Sequence, residues 1–486
     1  MKKIILLISI FTATLTMAAQ DGITLHFMRL NPYSAYSNPS AHLQYRGYVG
    51  MPAVSNINVA LTNTSIQYKT LFGTNEEGTV TTLKLNDFVD RLSKKKNLLN
   101  TNVSLNLIDF GFRTKPIRFA FSYRLRIDEY FSYNKDLFAL PVHGNMSYVG
   151  ENHPAQPDVK INVTAYQEIA LGMQAEIHDR IYIGVRPKLL FGLANVKTRK
   201  MSATLYTDPE DYTMRLNYNL DASLASVIPY SVTKDSSGKT SIQIDPKGFL
   251  NNWQNAFGNV GAGLDLGFTY RINNMFGLSA SFLDLGFIRW KTNCGNITGA
   301  IAETETSTYY DDGSFIFSGL SEEDIKQLRE DPEAFKDKIL EYFPITYTQK
   351  KAYTQALASR FIVEGYCNLG KYHRFTALFQ GRIVSNQFIP SFTVAWNGTF
   401  LNTFDLCVSY TLSQNSYANL GLGIGLNLGV FHLYAATDNI FGICNSKSPQ
   451  RSLLNARNAN IQMGIVFDWG KLHENKLEKK SKQKND

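Results

Sequence analysis

Apolar and polar residues alternate with a period of two along most of the chain. One run places Val260, Ala262, Leu264, Leu266, Phe268 and Tyr270 on the same face. The positions between them are Gly261, Gly263, Asp265, Gly267 and Thr269. The same pattern recurs over residues 117–127, 404–412, 420–428 and 461–467. Alternation of this kind is typical of β-strands whose two faces meet different surroundings.

The length of these runs distinguishes between two β architectures. They span about 9–11 residues, which is the length of a tilted strand that crosses a bilayer. Strands of soluble sandwiches are usually nearer 5–6 residues. Because hydrocarbon offers no partners to backbone amides, a membrane sheet must close on itself. We therefore predict an all-β fold, a transmembrane antiparallel β-barrel of about 14 strands, with a secreted soluble β protein as the alternative.

Aromatic residues near the predicted strand ends fit this picture as a group. Amphipathic rings favour the headgroup zone of a membrane. The residues at or beside predicted boundaries are Tyr270, Trp290, Tyr410, Tyr417, Phe441 and Trp469. Together they predict an aromatic girdle, although core packing explains each of them equally well.

The N-terminal residues predict export. Lys2 and Lys3 precede an apolar run, and small residues follow at Ala18 and Ala19, which is the pattern of a cleaved signal peptide over residues 1–19. Turn-forming pairs such as Asn31-Pro32 mark residues 20–52 as a segment that lies on the periplasmic side or fills the lumen. Residues 53–470 then form the barrel.

Two charged regions lie outside the strand pattern. Residues 321–342 predict a small helical insert outside the membrane, and residues 471–486 predict a basic, disordered tail. The net charge of +8 falls to about +3 without the signal-peptide lysines and the tail's net +3. A nearly neutral body disfavours a nucleic-acid partner.

The predicted inward positions carry charges. One wall is rich in glycine, and the opposite wall is rich in arginine. We therefore expect the lumen to be partly filled, either by residues 20–52 or by an amphipathic molecule whose acidic end meets the arginines. The alternative is that the arginines pair with interior acids and fix the barrel. The predicted lumen-lining residues are Arg118, Arg124, Arg126, Arg186, Arg360, Glu364, Arg374, Arg382, Asp265 and Asp405.

No motif for catalysis or for a cofactor is present. The eight histidines show no metal-ligand spacing, and no GxSxG nucleophile elbow occurs. The glycines at 421, 423 and 425 lie in an alternating strand and open no helix, so a dinucleotide site is excluded. The four cysteines are scattered, which favours structural thiols. We expect no enzyme, cofactor or metal site, with a dispersed Ser/His pair as the remaining enzymatic alternative.

Five segments resemble an uncharacterised outer-membrane β-barrel family of Bacteroidota, a domain of unknown function. They are LHFMRL (25–30), SNPSA (37–41), YVGMPAVSNI (48–57), FLDLGFIRW (282–290) and YAATDNIFG (434–442). The early Asn-Pro-Ser is also similar to Asn-Pro-Ala in FadL-type channels and in PorV, a type IX secretion barrel. The resemblance implies an outer-membrane location and a barrel, and it brings no catalytic residues.

Two main functions remain for such a barrel. The first is a channel or transporter for small or amphipathic solutes across the outer membrane, with membrane lipid as its surroundings. The alternative is a non-transporting scaffold that docks periplasmic or type IX secretion-type partners through the tail and the helical insert.

Overall fold

The computed structural model describes most of the chain. The described residues are 22–43, 45–65, 68–74, 80–114, 116–150, 152–210, 214–234, 240–245, 253–299, 315–317, 345–350, 352–384, 387–401, 403–413, 416–444 and 458–470. The predicted signal peptide (1–19), helical insert (321–342) and basic tail (471–486) lie outside these residues.

Fourteen antiparallel strand positions close into a ring, which confirms the predicted barrel. The first position is shared by β1 (Gly47–Gly50) and β2 (Ile57–Asn63), which both pair with β5 (Asn97–Thr114) and with β24 (Asn458–Trp469). From β5 the ring continues through β6 (Ile117–Tyr133), β7 (Val159–His178), β8 (Ile181–Thr207), β12 (Asn259–Arg271), β13 (Phe276–Trp290), β18 (Ser359–Leu369), β19 (His373–Val384), β20 (Gln387–Phe400), β21 (Phe404–Ser413), β22 (Ser416–Leu428) and β23 (Phe431–Thr437) to β24.

The two faces of the wall have different compositions, as the alternation predicts. On β12 and β13, Phe268 and Phe282 are about half exposed on the outer face. Asp265 on β12 points inward and is 1% exposed. The outer face is thus apolar, and the polar residues of the wall collect inside the ring.

The two ends of the barrel differ in the length of their connections. At one end, which we call the short-turn end, strands are joined by residues 115–116, 179–180, 272–275, 370–372, 401–403 and 429–430. At the other, the long-connection end, the larger connections are residues 64–96, 134–158, 208–258, 291–358 and 438–457.

A second set of strands projects from the long-connection end. The 27-residue strand β8 pairs with β12 up to Gly192, and its later half pairs with β9 (Met214–Ser226). β9 in turn pairs with β14 (Gly295–Gly299) and β15 (Phe315–Phe317), and β14 pairs with β16 (Ile345–Gln349). β17 (Tyr353–Ala356) extends the eighth wall position by pairing with β13.

The remaining elements are short. Two hairpins are formed by β3 (Phe72–Thr74) with β4 (Val80–Leu83) and by β10 (Tyr230–Lys234) with β11 (Thr240–Ile244). The described helices are α1 (Ile23–His26), α2 (Tyr68–Leu71), α3 (Leu85–Asp90), α4 (Asp136–His143), α5 (Ile440–Cys444) and the 3-10 turns Pro32–Tyr36, Met146–Tyr148 and Trp253–Phe257. Among the described residues, no helix has the length and apolar character to cross a membrane.

A β-bulge in β13 changes which side chains point inward. Leu283 and Asp284 together oppose Asp265 of β12, and Asp284 adopts a φ of 57°. An extra residue in one strand shifts the alternation by one position. Inward positions are therefore odd-numbered before the bulge and even-numbered after it.

The bulge explains why one predicted girdle residue is wrong. Trp290 has no exposed surface, and its ring stacks on Tyr353 inside the barrel at a centroid distance of 6.4 Å. The residues that are exposed as expected are Tyr270, Tyr410, Phe441 and Trp469. The side chain of Tyr417 lies outside the described part of the chain.

The two tryptophans should respond differently to a quencher in the lipid. In variants that keep only Trp290 or only Trp469, we expect brominated acyl chains to quench the fluorescence of Trp469 and to leave that of Trp290 nearly unchanged, because Trp469 is 47% exposed and Trp290 is enclosed. Equal quenching of both variants in reconstituted liposomes would contradict the inward shift caused by the bulge.

Candidate functional site

The interior of the ring contains an additional stretch of chain. We call residues 22–43 the internal segment. It begins near Asn58 and Gln462 on the inner wall and ends at Leu43, close to the short-turn end. Ile23, Leu25 and Met28 are at most 2% exposed, because they pack against inward-facing apolar residues of the wall such as Leu378 and Tyr434.

The first turn of the internal segment binds the β21–β23 side of the wall. The backbone N–H groups of Ile23 and Thr24 donate to the Asp438 carboxylate at 3.2 and 2.8 Å. This carboxylate therefore satisfies donors that a helix start leaves without partners. The Thr24 hydroxyl also lies 2.8 Å from the hydroxyl of Ser409.

The glycine-rich wall predicted from β22 is the surface on which α1 rests. A Cβ added at Gly421 would lie 2.3 Å from Thr24 Oγ1, and one added at Gly423 would lie 2.7 Å from Met28 Sδ. Both distances are shorter than van der Waals contact allows. The absence of side chains at these positions is what lets the internal segment approach the wall.

Buried polar contacts hold the segment near the short-turn end. Arg29 donates from Nε to Asn397 at 3.0 Å and from Nη2 to Thr399 at 2.8 Å. Asp405, fully buried, accepts from the backbone N–H of Leu30 at 3.3 Å and from Asn397 at 2.5 Å. The predicted lumen residue Asp405 thus contacts the internal segment.

The segment then crosses to the β8 and β12 side. Ser40 Oγ lies 2.7 Å from Thr269 Oγ1. A Cβ at Gly184 would come within 2.1 Å of the Pro39 carbonyl, so this passage also depends on a glycine. At the end of the segment, Arg118 donates to the Leu43 carbonyl oxygen at 2.6 Å.

Two further contacts fix the middle of the segment. His26 Nε2 lies 2.6 Å from Glu364, and its Nδ1 lies 2.7 Å from the hydroxyl of Ser37. The Tyr33 hydroxyl donates to Asp109 at 2.6 Å. The two wall groups, Glu364 and Asp109, are buried, so the bonds to them form away from bulk water.

Next to the internal segment lies a cluster of charges around Glu168 on β7. Glu168 is fully buried and accepts from Arg124 at 2.5 Å, from Arg126 at 3.1 Å and from Arg186 at 3.2 Å. The guanidinium groups of Arg124 and Arg186 also lie 4.2 and 4.3 Å from the ring centre of Tyr36. Tyr36 of the segment is therefore held between two cations.

The cluster continues to the bulge of β13. Asp284 accepts from Arg126 at 2.7 Å and from Lys188 at 2.6 Å. Lys188 also lies 2.6 Å from Asp265, whose carboxylate accepts the backbone N–H of Asp284 at 2.7 Å. Arg360 Nε lies 3.7 Å from Asp284. These contacts connect strands of different parts of the wall through the lumen.

Nearer the long-connection end, side chains reach between nearly opposite walls. Arg382 on β19, the ninth strand position, lies 4.0 Å from Asp128 on β6, the third. The amide of Asn100 is oriented so that its nitrogen donates to the Glu129 carbonyl oxygen. In this orientation its Oδ1 accepts from Arg382 Nη1 at 3.0 Å. Gln355 Nε2 donates to Asn162 at 2.8 Å. We call these contacts the cross-lumen bridge.

Arg374 differs from the other predicted lumen residues. It is half-buried near the short-turn end, where its Nε donates to Asn368 at 2.7 Å and its guanidinium lies 4.2 Å from the Tyr366 ring centre. It contacts no member of the charge cluster in the interactions described.

Sequence reasoning missed several charged residues of the interior. Glu168 and Lys188 follow the two-residue alternation of β7 and β8, so this alternation alone would have predicted that both point inward. Asp109 and Asp284 follow register shifts in β5 and β13. Strict alternation places these two aspartates on the outer face, and no local sequence signal marks the bulges.

Several cavities lie inside the barrel among the described residues. A small one of about 40 Å³ lies between the internal segment and the wall, with Arg124, Arg126 and Arg360 in its lining. A larger one of about 180 Å³ lies beside the cross-lumen bridge. Within the described ranges, no three His, Cys, Asp or Glu side chains are arranged to hold a metal ion.

Comparison with known proteins gives one family and several similar structures. The model of the "Family of unknown function (DUF5723)" matches residues 39–438. No curated protein matches the chain in sequence.

The similar solved structures are barrels with little sequence identity. The Pseudomonas putida toluene transporter TodX is 9% identical, with a TM-score of 0.36 and coverage of 90% of this chain and 92% of that one. The Ralstonia pickettii toluene transporter TbuX is 8% identical, with a TM-score of 0.38 and coverage of 92% and 95%. A Pseudomonas aeruginosa FadL homologue is 7% identical, with a TM-score of 0.37 and coverage of 93% and 97%. These values assign no ligand to the chain.

Neutralising the centre of the charge cluster should destabilise the barrel strongly. We expect Glu168→Gln to lower the free energy of unfolding by about 3–5 kcal/mol, because it leaves buried cations without their shared anion. Urea-induced unfolding in detergent micelles measures this change.

A control is available on the same strand. Glu176 pairs with Arg113 at 3.0 Å and keeps 30% of its side chain exposed, so Glu176→Gln should cost no more than about 1 kcal/mol. Similar losses in the two variants would show that burial of the cluster has no special energetic role.

Proposed function

The chain belongs to this DUF5723 family of unknown function, and we propose that it is an outer-membrane channel or transporter for small or amphipathic solutes. In this proposal, the internal segment closes the lumen until it is displaced. The proposal rests on one observation, which is that a separate stretch of chain lies inside a closed barrel without being part of its wall.

The outer face supports a membrane location. It is apolar along strands that are long enough to cross a bilayer, and the ring leaves no unpaired strand edge for hydrocarbon to meet. Outer-membrane barrels usually have short periplasmic turns and longer external loops. We therefore assign the short-turn end to the periplasm and the projecting strands to the cell exterior.

The way in which the internal segment is held supports a removable closure. Its described contacts with β8, β12, β18 and β21 run through side chains and single backbone groups, among them Ser40, His26 and Leu30. Withdrawing it breaks these contacts, whereas the hydrogen-bonded ladders of the fourteen strands stay intact. The free-energy cost of withdrawing the internal segment is thus separate from the cost of unfolding the barrel.

The wall beneath the internal segment suits solutes that have both an apolar and a polar part. It combines apolar wall residues such as Ile362 and Leu378 with charged residues such as Arg124 and Glu364. Withdrawal of the segment would expose both kinds to a solute in transit. The docking alternative depends on residues 321–342 and 471–486, which lie outside the described residues.

A disulfide lock tests the closure. The hydroxyl oxygens of Ser40 and Thr269 are 2.7 Å apart, so the double variant Ser40→Cys, Thr269→Cys places two thiols within bonding reach. We expect the oxidised protein to show lower solute flux in liposome swelling than the wild type, and we expect a reductant to restore it.

The matched controls are the two single-cysteine variants, which should not respond to the reductant. Flux that is unchanged by the lock would show that the internal segment does not close the pathway. The absence of flux from wild-type protein for every small or amphipathic solute would contradict the channel itself.

Loosening the segment should have the opposite effect. We expect Gly184→Ala to raise single-channel conductance, because the new methyl group would lie 2.1 Å from the Pro39 carbonyl and displace the segment. Gly172→Ala is the control, since its Cβ would meet Ala120 at an ordinary contact of 3.5 Å. Conductance that rises equally in both variants would point to a general loss of packing instead.

A further inference from the structure

The larger cavity has a defined position and a polar lining. We call it the upper chamber. It lies at the long-connection end between β5–β7 and the β17–β19 side, with Asn100, Asp128, Tyr130, Asn162, Gln355 and Arg382 in its lining. Several of these residues form the cross-lumen bridge, so the bridge is part of the wall of the chamber.

Its size limits what it can hold. A volume of about 180 Å³ corresponds to roughly six water molecules, at about 30 Å³ for each one in the liquid. A hexose or a six-carbon polyol displaces about the same volume of water. The chamber therefore suits one small solute and excludes a long acyl chain in compact form.

The lining offers oriented groups for hydroxyls. Gln355 is 5% exposed, and its Nε2 is fixed by Asn162 Oδ1 and Thr164 Oγ1, both at 2.8 Å. Its Oε1, in contrast, has no hydrogen-bond partner among the described residues. A buried carbonyl oxygen without a partner costs free energy that a donor from a bound solute can recover. A hydroxyl group supplies such a donor.

An aromatic side chain and further planar groups complete the lining. Tyr130 is buried, and its hydroxyl accepts from Lys96 Nζ at 2.8 Å. The amides of Asn100 and Asn162 and the guanidinium of Arg382 present both donors and acceptors to the chamber. Dense hydrogen-bonding capacity beside an aromatic ring fits a molecule with hydroxyls along its edge and carbon–hydrogen bonds on its faces.

The charges of the chamber favour a neutral occupant. The lining includes two acids, Asp128 and Glu129, and two bases, Lys197 and Arg382. A balanced set attracts neither an anion nor a cation through net charge. The predicted docking of an acidic group on arginines thus has little support at this end of the lumen.

We propose that the upper chamber binds a neutral polyhydroxylated solute of about hexose size, a sugar or a polyol. The role of this binding as the first step of passage rests on the function proposed above, whereas the binding itself does not. Gln355 determines specificity, because its fixed amide offers the unsatisfied carbonyl oxygen.

Saturation-transfer NMR on the full chain in detergent tests the binding without any transport step. We use D-glucose and D-sorbitol as probes and expect a Kd of about 1–10 mM for at least one of them. Gln355→Leu should weaken this binding at least about tenfold, and the shorter amide of Gln355→Asn should give an intermediate loss.

The matched control is Gln380→Leu. Gln380 is also a buried inward glutamine with an unpartnered Oε1, but it does not line the upper chamber. Its substitution should leave the Kd unchanged. An equal loss of binding in the Gln355→Leu and Gln380→Leu variants would overturn the assignment of the site.

Three further outcomes test the ligand class, the chamber and the channel separately. Displacement of the sugar by millimolar octanoate or toluene would overturn the neutral, hydroxyl-rich ligand class. Solute flux without millimolar binding of either probe would overturn the chamber and leave the channel standing. Binding that depends on Gln355, in a protein without flux, would support the chamber and overturn the channel.

Discussion

A sheet surrounded by hydrocarbon must pair every backbone N–H and C=O group within itself. The fourteen-strand ring meets this requirement by pairing β24 with β1 and β2. Closure then leaves only one place for polar side chains, which is the inside of the ring. Because that inside is enclosed as well, its charges need partners of their own, and the cluster around Glu168 and Asp284 supplies them.

The internal segment also solves a packing problem of the wide ring. The diameter of a barrel grows with its number of strands, and wall side chains fill the interior only up to about eight strands. A ring of fourteen strands is therefore too wide for its own side chains to fill. Residues 22–43 fill part of this space with apolar side chains, and they bind the wall through groups such as Asp438 and Arg118. Glycines such as Gly184 and Gly421 provide the clearance that the backbone of the segment needs.

Much of the wall could be predicted from sequence because period-two alternation is local. From this alternation Asp265 and Asp405 were predicted to point inward, and about fourteen strands were predicted. The position of Asp284 and Trp290 could not be predicted in this way, since one extra residue in β13 exchanges the two faces. The partners of the interior arginines were also beyond reach. Arg382 meets Asp128 only because the ring closes, and these residues are far apart in the chain.

The strand β8 joins two environments in one uninterrupted backbone. Its 27 residues correspond to roughly 90 Å. The first half carries Arg186 and Lys188 in the charge cluster, and the second half pairs with β9 of the projecting sheet. A load applied to the outer sheet is therefore borne by the same covalent chain that positions two interior cations. The barrel thus has a direct covalent link from the projecting sheet to the centre of its lumen.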